Sequence, residues 1–386
     1  MKLGILTSRF PYPLEKGDKL RLFHQIKSLS KHFEIHLFSI EEDPISKESY
    51  EELAQYCSSI KTYKIPKLKR LFNVFKAIFS GLPLQVAYNF DHGIQEQILK
   101  DLKKSEVTSL YCQLARMANY LIDHELPKGI DYMDVFSIGM AKRAQIVNPI
   151  LSILYKLEAR RTKKYEQKIA AHFDFKTIIS EQDKSLIDIK NISVVPNGVD
   201  TAYFAPMPIG SPSYDLGFVG NMGYLPNVAA AEFLVNQIAP LLKDNSTPVR
   251  ISIAGARPHP RVKQLQSDTV TIQGWVDEIR EAYSSIRIFV APLFNGTGQQ
   301  NKILEAMAMG IPVLTTDEVN QAIGAEVGKE VCIANSAKEF KEQIEVLLKD
   351  PEKINMLSKN GLSFVKNTYS WESQNNKLIK LIKTIQ

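Results

Sequence analysis

The residues best suited to chemistry run from Gly296 to Glu305, as Gly296-Thr297-Gly298-Gln299-Gln300-Asn301-Lys302-Ile303-Leu304-Glu305. A glycine-rich turn that opens a helix directs backbone N–H groups at one point, and such groups attract phosphate oxygens. Lys302 adds a full positive charge beside them. Glu305, about one turn into a helix expected from Ile303, can reach back to accept hydrogen bonds from sugar or ribose hydroxyls. Glycine-rich turns also occur wherever a chain needs positive φ, so the turn alone does not identify a site.

Other candidates follow other short apolar runs. Gly220 and Asn221 come directly after one, and Arg257, two residues past Gly255, can add charge to that of Lys302. Gly274-Trp275-Val276 can present backbone groups to a base edge, with Trp275 either flanking the base or packed in the core at a strand end. In the first half, Gly17 permits close backbone approach. Asp18 and Arg21 at a helix start can contact an acceptor or a phosphate, and for Asp18 a plain N-cap is the equal alternative. Asp131 and Asp134 border the loop after a further expected strand. The seven His are scattered without ligand spacing, and Cys57, Cys112 and Cys332 are odd in number and far apart. No metal site and no disulfide framework are therefore expected.

The elements that must position these residues alternate. Lys2 to Leu6 reads as a strand, then come a loop with Pro11, Pro13 and Gly17, helical spacing at Leu22, Phe23, Ile26 and Leu29, and a strand over Phe33 to Phe38. This is the opening of a doubly wound parallel sheet. Further strands are expected at 107–111, 129–133, 176–179 and 192–195. A polar, proline-bearing stretch from Ala205 to Ser213 marks the domain boundary, which gives domains 1–205 and 206–369. After it the pattern restarts with strands at 216–219, 250–254, 270–273, 288–291 and 312–315. Two α/β domains also suit 386 residues, more than one hydrophobic core usually holds.

Composition removes several classes. With 44% hydrophobic and 23% charged residues the chain is neither disordered nor fibrous. No apolar run approaches the ~18–20 residues of a membrane span, and the first residues do not form a signal peptide, so a cytoplasmic protein is expected. The net charge of +6 lies entirely in residues 1–200, which hold 30 Lys and Arg against 24 Asp and Glu. Within residues 61–79, six cations interleave with aromatic and aliphatic side chains and no acid. Two readings stand side by side: a peripheral contact with an anionic membrane surface, or a solvated helix face backed by ordinary core. Nucleic-acid binding has no support beyond ordinary basic charge.

Taken whole, the string from Gly296 through Glu305-Ala306-Met307-Ala308-Met309-Gly310-Ile311-Pro312-Val313 resembles the donor-binding signature of glycosyltransferase family 4, whose members have the GT-B fold. Phe10-Pro11-Tyr12-Pro13 with Lys16 to Arg21 is similar to that family's N-terminal loop, Val195 to Asp200 to its interdomain element, and Gly274-Trp275-Val276 to its nucleotide-base segment. The variant Gln300-Asn301-Lys302 is shared with bacterial sugar transferases of exopolysaccharide and protein-sorting loci. The resemblance implies two Rossmann-like domains facing a cleft, with residues 370–386 crossing back onto the first, and cleft closure gating turnover. It implies a retaining transferase that moves a sugar from a nucleotide diphosphate sugar to an acceptor hydroxyl, in surface polysaccharide or glycoconjugate synthesis.

The implied donor contacts are Gly17, Gly220, Asn221, Arg257, Trp275, Val276, Thr297, Gly298, Gln299, Gln300, Asn301, Lys302, Ile303 and Glu305. The implied acceptor contacts are Asp18, Arg21, Asp131 and Asp134, toward a glycan or a lipid-linked acceptor. Asp134, Lys302 and Glu305 take the catalytic roles, with no cofactor and no metal. Two departures matter. Thr297 stands where the family often has a second Glu, and Gly220-Asn221-Met222-Gly223 lacks the family's Arg and Lys, which leaves the diphosphate charge to Lys302 and Arg257. Where the family often carries a His in its first domain, this chain has Met133. Two rivals remain open, a nucleotide-sugar epimerase of the same fold and a non-catalytic binder of nucleotide sugar or glycan. A dinucleotide-dependent oxidoreductase is disfavoured, because no Gly-x-Gly-x-x-Gly follows the first strand.

Overall fold

A computed structural model describes residues 1–41, 44–208, 210, 212–242, 248–294 and 300–385. The chain divides into two units, Met1–Asn197 with Gln374–Gln386, and Gly198–Ser373. In the first, seven parallel strands form one sheet: β1 (Lys2–Thr7), β2 (Glu34–Glu41), β3 (Ser59–Lys64), β4 (Ser109–Gln113), β5 (Lys128–Asp131), β6 (Phe175–Ile178) and β7 (Ile192–Val194). Their order is β3-β2-β1-β4-β5-β6-β7. The second has six parallel strands, β8 (Tyr214–Val219), β9 (Ile251–Ala254), β10 (Val270–Gln273), β11 (Ile286–Ala291), β12 (Val313–Thr315) and β13 (Cys332–Ile333), in the order β10-β9-β8-β11-β12-β13.

Both sheets are doubly wound, and both reverse direction beside their first strand. In such sheets ligands bind outside the carboxyl ends of the strands at that reversal. The relevant places are the ends of β1 and β4 in one unit and of β8 and β11 in the other. The inner strands are buried on both faces, which is why they read as apolar runs such as Ile288-Phe289-Val290-Ala291 in β11. Strand β3 escaped the sequence reading because it is an edge strand whose lysines point outward while Tyr63 is buried. Lysine on an exposed edge deters pairing with other chains. Lys61 and Lys64 therefore belong to a strand, and the amphipathic helix behind them starts only at Lys67.

The boundary lies eight residues before the expected one, and the chain returns to the first unit at Gln374 rather than at residue 370. Backbone pairing explains the shift. Val199 N–H donates to the Tyr369 carbonyl at 2.7 Å, Val199 bridges to Ser370, and Val199 belongs to the second unit's core. Gly198 leaves no room for a side chain, since a Cβ there would lie 2.5 Å from the Trp371 backbone. The proline-bearing stretch marks a loop inside the second unit. Beyond Gln374, Leu378, Ile379 and Ile382 join Leu22 and Ile26 in the first unit's core. Asn375 Nδ2 donates to the His24 carbonyl at 3.0 Å and to Ser28 Oγ at 2.8 Å.

Candidate functional site

In the second unit, the strand ends meet on glycines. Gly255 has φ +141°, and a Cβ there would stand 1.7 Å from the Gly220 carbonyl oxygen, so the ends of β8 and β9 touch backbone to backbone. Gly255 N–H in turn donates to the Gly274 carbonyl at 2.9 Å. After β11 the chain enters the helix Asn301–Ala308. That helix ends in a Schellman motif: Gly310 N–H donates to Met307 O, Ile311 N–H to Ala306 O, and Gly310 takes φ +72°. Residues 295–299 lie outside the described residues, so the expected contacts Thr297, Gly298 and Gln299 have no described position.

Lys302 sits in the second position of this helix, with its ammonium turned back toward β8. Nζ donates to Gln300 Oε1 at 2.8 Å and to Asn227 Oδ1 at 3.0 Å, and a Cβ on Gly220 would lie 3.3 Å from Lys302 Cε. Asn227 is itself held by donation from Nδ2 to the Asn221 carbonyl at 2.9 Å. Burial lowers the Lys302 pKa to about 8, and the Glu305 charge opposes that shift. Glu305 accepts a hydrogen bond from the Tyr283 hydroxyl at 2.8 Å. Burial raises its pKa, while that bond and Lys302 pull it down. Among the described residues, a half-buried cation held by two neutral amide oxygens is an arrangement that an arriving anion improves.

The remaining donor candidates differ in standing. Gln300 and Asn221 are in place as partners of Lys302 and Asn227, and Asn301 opens the helix. Asn221 Oδ1 also accepts from Gly223 N–H at 3.0 Å. Trp275 is 75% exposed, with Nε1 donating to Asp277 Oδ1 at 3.1 Å, so the core reading of its side chain is overturned and its ring is open to a ligand. Val276 packs against the core, and Ile303 is fully buried there, which limits Ile303 to a backbone role. Arg257 is exposed and holds φ +55°, an uncommon state for a side-chain-bearing residue. Asn227 and Tyr283 had no sequence signal, because each is brought to the site by tertiary packing.

In the first unit two expectations are corrected. Arg21 and Asp131 are 1% and 0% exposed and form a buried pair, with Nε donating to Oδ2 at 2.7 Å. Arg21 also donates through Nη1 to Asn197 Oδ1 and through Nη2 to the Val195 carbonyl, both at 2.9 Å. Asp131 further accepts from Tyr111, Thr177 and the Met133 amide. Four of the five Arg21 N–H groups and both Asp131 oxygens are engaged inside the protein, so the buried pair ties the end of β5 to the first helix and to the chain after β7 rather than presenting its charges to an acceptor. Asp18 is not an N-cap either. Lys16 occupies that position, while Asp18 accepts from Arg9 at 2.7 Å and from Arg116 at 3.4 Å. A Cβ at Gly17 would meet open space, so the fold itself makes no demand on that glycine.

Arg9 follows β1 and Arg116 follows β4, on the two sides of the first unit's reversal. Arg116 Nε donates to Ser8 Oγ at 2.9 Å. Both arginines line a cavity of about 310 Å³ with Gln85, Tyr88 and Asn89. Arg9 also faces a second cavity of about 390 Å³ with Lys16 and Lys19. Sequence reasoning passed over these arginines. Arg9, a cation just past a strand end, offered a signal, whereas Arg116 offered none. Asp134 is exposed at the surface, yet the protein mass around its carboxyl and then the Asp183 charge raise its pKa to about 6. Met133 before it holds φ +63°, and such strain at a strand end is a feature of sites more than of scaffolds.

Residues 213–350 match the family model described as Glycosyl transferases group 1. Over 387 residues the chain is 21% identical to an uncharacterized 44.6 kDa protein in the cps region of Klebsiella pneumoniae, covering 95% of this chain and 96% of that one. Among solved structures it is similar to sucrose-phosphate synthase from Thermosynechococcus elongatus, with TM-score 0.65 and 17% identity over 100% of this chain and 99% of the other. It is similar also to HepE from Anabaena in complex with UDP, with TM-score 0.67 and 13% identity over the whole of both chains. At these identities the likeness is one of fold, and the fold is GT-B.

Proposed function

From a Glycosyl transferases group 1 domain over residues 213–350 and a GT-B fold, we infer that the protein moves a sugar from a nucleotide diphosphate sugar to an acceptor hydroxyl. The observation that carries this reading is Lys302, a half-buried cation at the sheet reversal whose pKa is lowered to about 8, one turn before the half-buried Glu305 held by the Tyr283 hydroxyl. Cleaving the sugar–phosphate bond loads negative charge on the leaving diphosphate. Lys302 and the N–H groups that open its helix stabilise that charge where water is scarce. Glu305 takes the sugar or ribose hydroxyls, and Trp275 with the backbone at Gly274 borders the base. Arg257 assists from the neighbouring strand end. Asp134 is the carboxylate for the acceptor hydroxyl, and its raised pKa suits a base working near neutral pH. The anomeric configuration is retained, and the diphosphate charge is met by protein groups without a metal.

HepE, a fold neighbour, was solved with UDP, and the Klebsiella relative lies in a cps region. UDP-sugars are therefore the first donors to test, with a surface-polysaccharide or lipid-linked glycan as acceptor. The experiment is release of nucleoside diphosphate from UDP-sugars with and without an acceptor pool from such a cell envelope. Acceptor-dependent release that survives EDTA, and falls at least about tenfold in Asp134→Asn, is expected. Conversion of the donor without acceptor would indicate epimerisation. Binding without turnover would indicate a non-catalytic role, and loss under EDTA restored by a divalent metal would overturn the metal-free assignment.

A further inference from the structure

The helix Lys67–Ser80 is turned inside out. Its inward face carries Ala77 and Arg70, the latter 1% exposed, whose guanidinium donates to the carbonyls of Ile65 at 3.3 Å and Glu41 at 3.2 Å and lies 4.8 Å from the Tyr88 ring centre. Its outward face carries Leu68, Leu71, Phe72, Phe75, Ile78 and Phe79, between 49% and 82% exposed. A solvated helix face would be polar there. Large apolar side chains repeating at i, i+3 and i+4 on the outside mark a surface that meets another apolar phase.

A second helix continues the feature. Pro149–Ala170 exposes Ile150, Leu151, Ile153, Leu154 and Leu157, between 43% and 77%, in its first turns. The two helices are bonded together: Arg161 donates through Nη2 to the Ile78 carbonyl at 2.8 Å and through Nη1 to the Ala77 carbonyl at 3.4 Å. Leu157 stands one helical turn before Arg161, so the second apolar run begins where the first one ends.

Charge selects the occupant. Residues 53–90 and 135–157 together hold nine Lys and Arg and no Asp or Glu; Arg70 is buried and Lys69 pairs with Asp91, which leaves seven cations to set the charge of this face. A second copy docking this face on itself would set like charges against each other. An anionic bilayer accepts the apolar side chains and neutralises the cations at once. We propose that the helix Lys67–Ser80 and residues 149–157 form a two-helix platform that seats on an anionic bilayer surface. Among the described residues no helix is long and apolar enough to cross a membrane, so the contact is one of lying on the surface. The proposal does not depend on the donor-site reading.

The test is flotation of the full chain with vesicles of phosphatidylcholine and phosphatidylglycerol, and with phosphatidylcholine alone. The chain should float with the anionic vesicles and stay behind with the neutral ones. Phe75→Glu/Phe79→Glu, and separately Ile150→Glu/Ile153→Glu, should each cut the bound fraction at least about tenfold while leaving the melting temperature and UDP binding unchanged. Absence of flotation with anionic vesicles overturns the proposal. Undiminished flotation of the Ile150→Glu/Ile153→Glu variant overturns the two-helix platform. A dimer in light scattering that the same substitutions abolish would assign the face to a second copy instead. UDP binding by the wild type, measured in parallel, stands or falls independently.

Discussion

Lys302 spends its protons on two amide oxygens, and burial holds its pKa near 8. A diphosphate placed beside Nζ stabilises the charged form and raises that pKa, so binding draws a proton onto the lysine at alkaline pH. The sign follows directly. Donor affinity is full below about pH 8 and declines above it, by up to about tenfold per pH unit, until the pKa of the bound state is passed. Titration calorimetry from pH 6.5 to 9.5, in buffers of different ionisation enthalpy, should show the decline together with proton uptake. A flat profile would mean that the ammonium does not face the ligand. Residue type and spacing marked Lys302 and Glu305 as candidates, and the resemblance of the whole string from Gly296 to Val313 gave them their donor roles. Arg21 and Asp131 were misread, because a charged pair in sequence looks the same whether it faces a ligand or closes on itself. Only burial and the full count of their partners tell the two apart.

At the scale of elements, the alternation of apolar runs and helical periodicity disclosed both sheets, since strands buried on two faces cannot conceal their composition. The edge strand β3 and the short β13 were missed for the converse reason: edges are polar or brief. The contact between the ends of β8 and β9 was also hidden, although Gly220 and Gly255 both stand in the sequence. With φ +141° and the Gly220 carbonyl 1.7 Å from the position of a Cβ, Gly255→Ala must push two strand ends apart. A loss of about 2–3 kcal/mol in denaturant unfolding is expected, with weaker nucleotide binding, because Gly220 flanks the Lys302 side chain. Stability equal to wild type would show that the strand ends do not constrain the site.

At the scale of the whole molecule, the donor elements and the exposed apolar helices belong to different units of the chain. The unit Gly198–Ser373 carries Lys302, Glu305 and Trp275, while the unit formed by Met1–Asn197 and Gln374–Gln386 carries the arginine-lined cavities and the inverted helix. Two-domain organisation was legible from length and from the restart of the strand pattern. The boundary at Asn197 was not, because proline content reports a loop, whereas the pairing of Val199 with Tyr369 and Ser370 decides which unit owns the segment. The central claim is a donor site built around Lys302. The most direct measurement is a calorimetric titration of the full chain with UDP, GDP and ADP at pH 7, repeated with Lys302→Ala. The account predicts that at least one diphosphate binds and that the substitution weakens it at least tenfold, or about 1.4 kcal/mol. Unchanged affinity in the variant, or no binding of any diphosphate by the wild type, would contradict it.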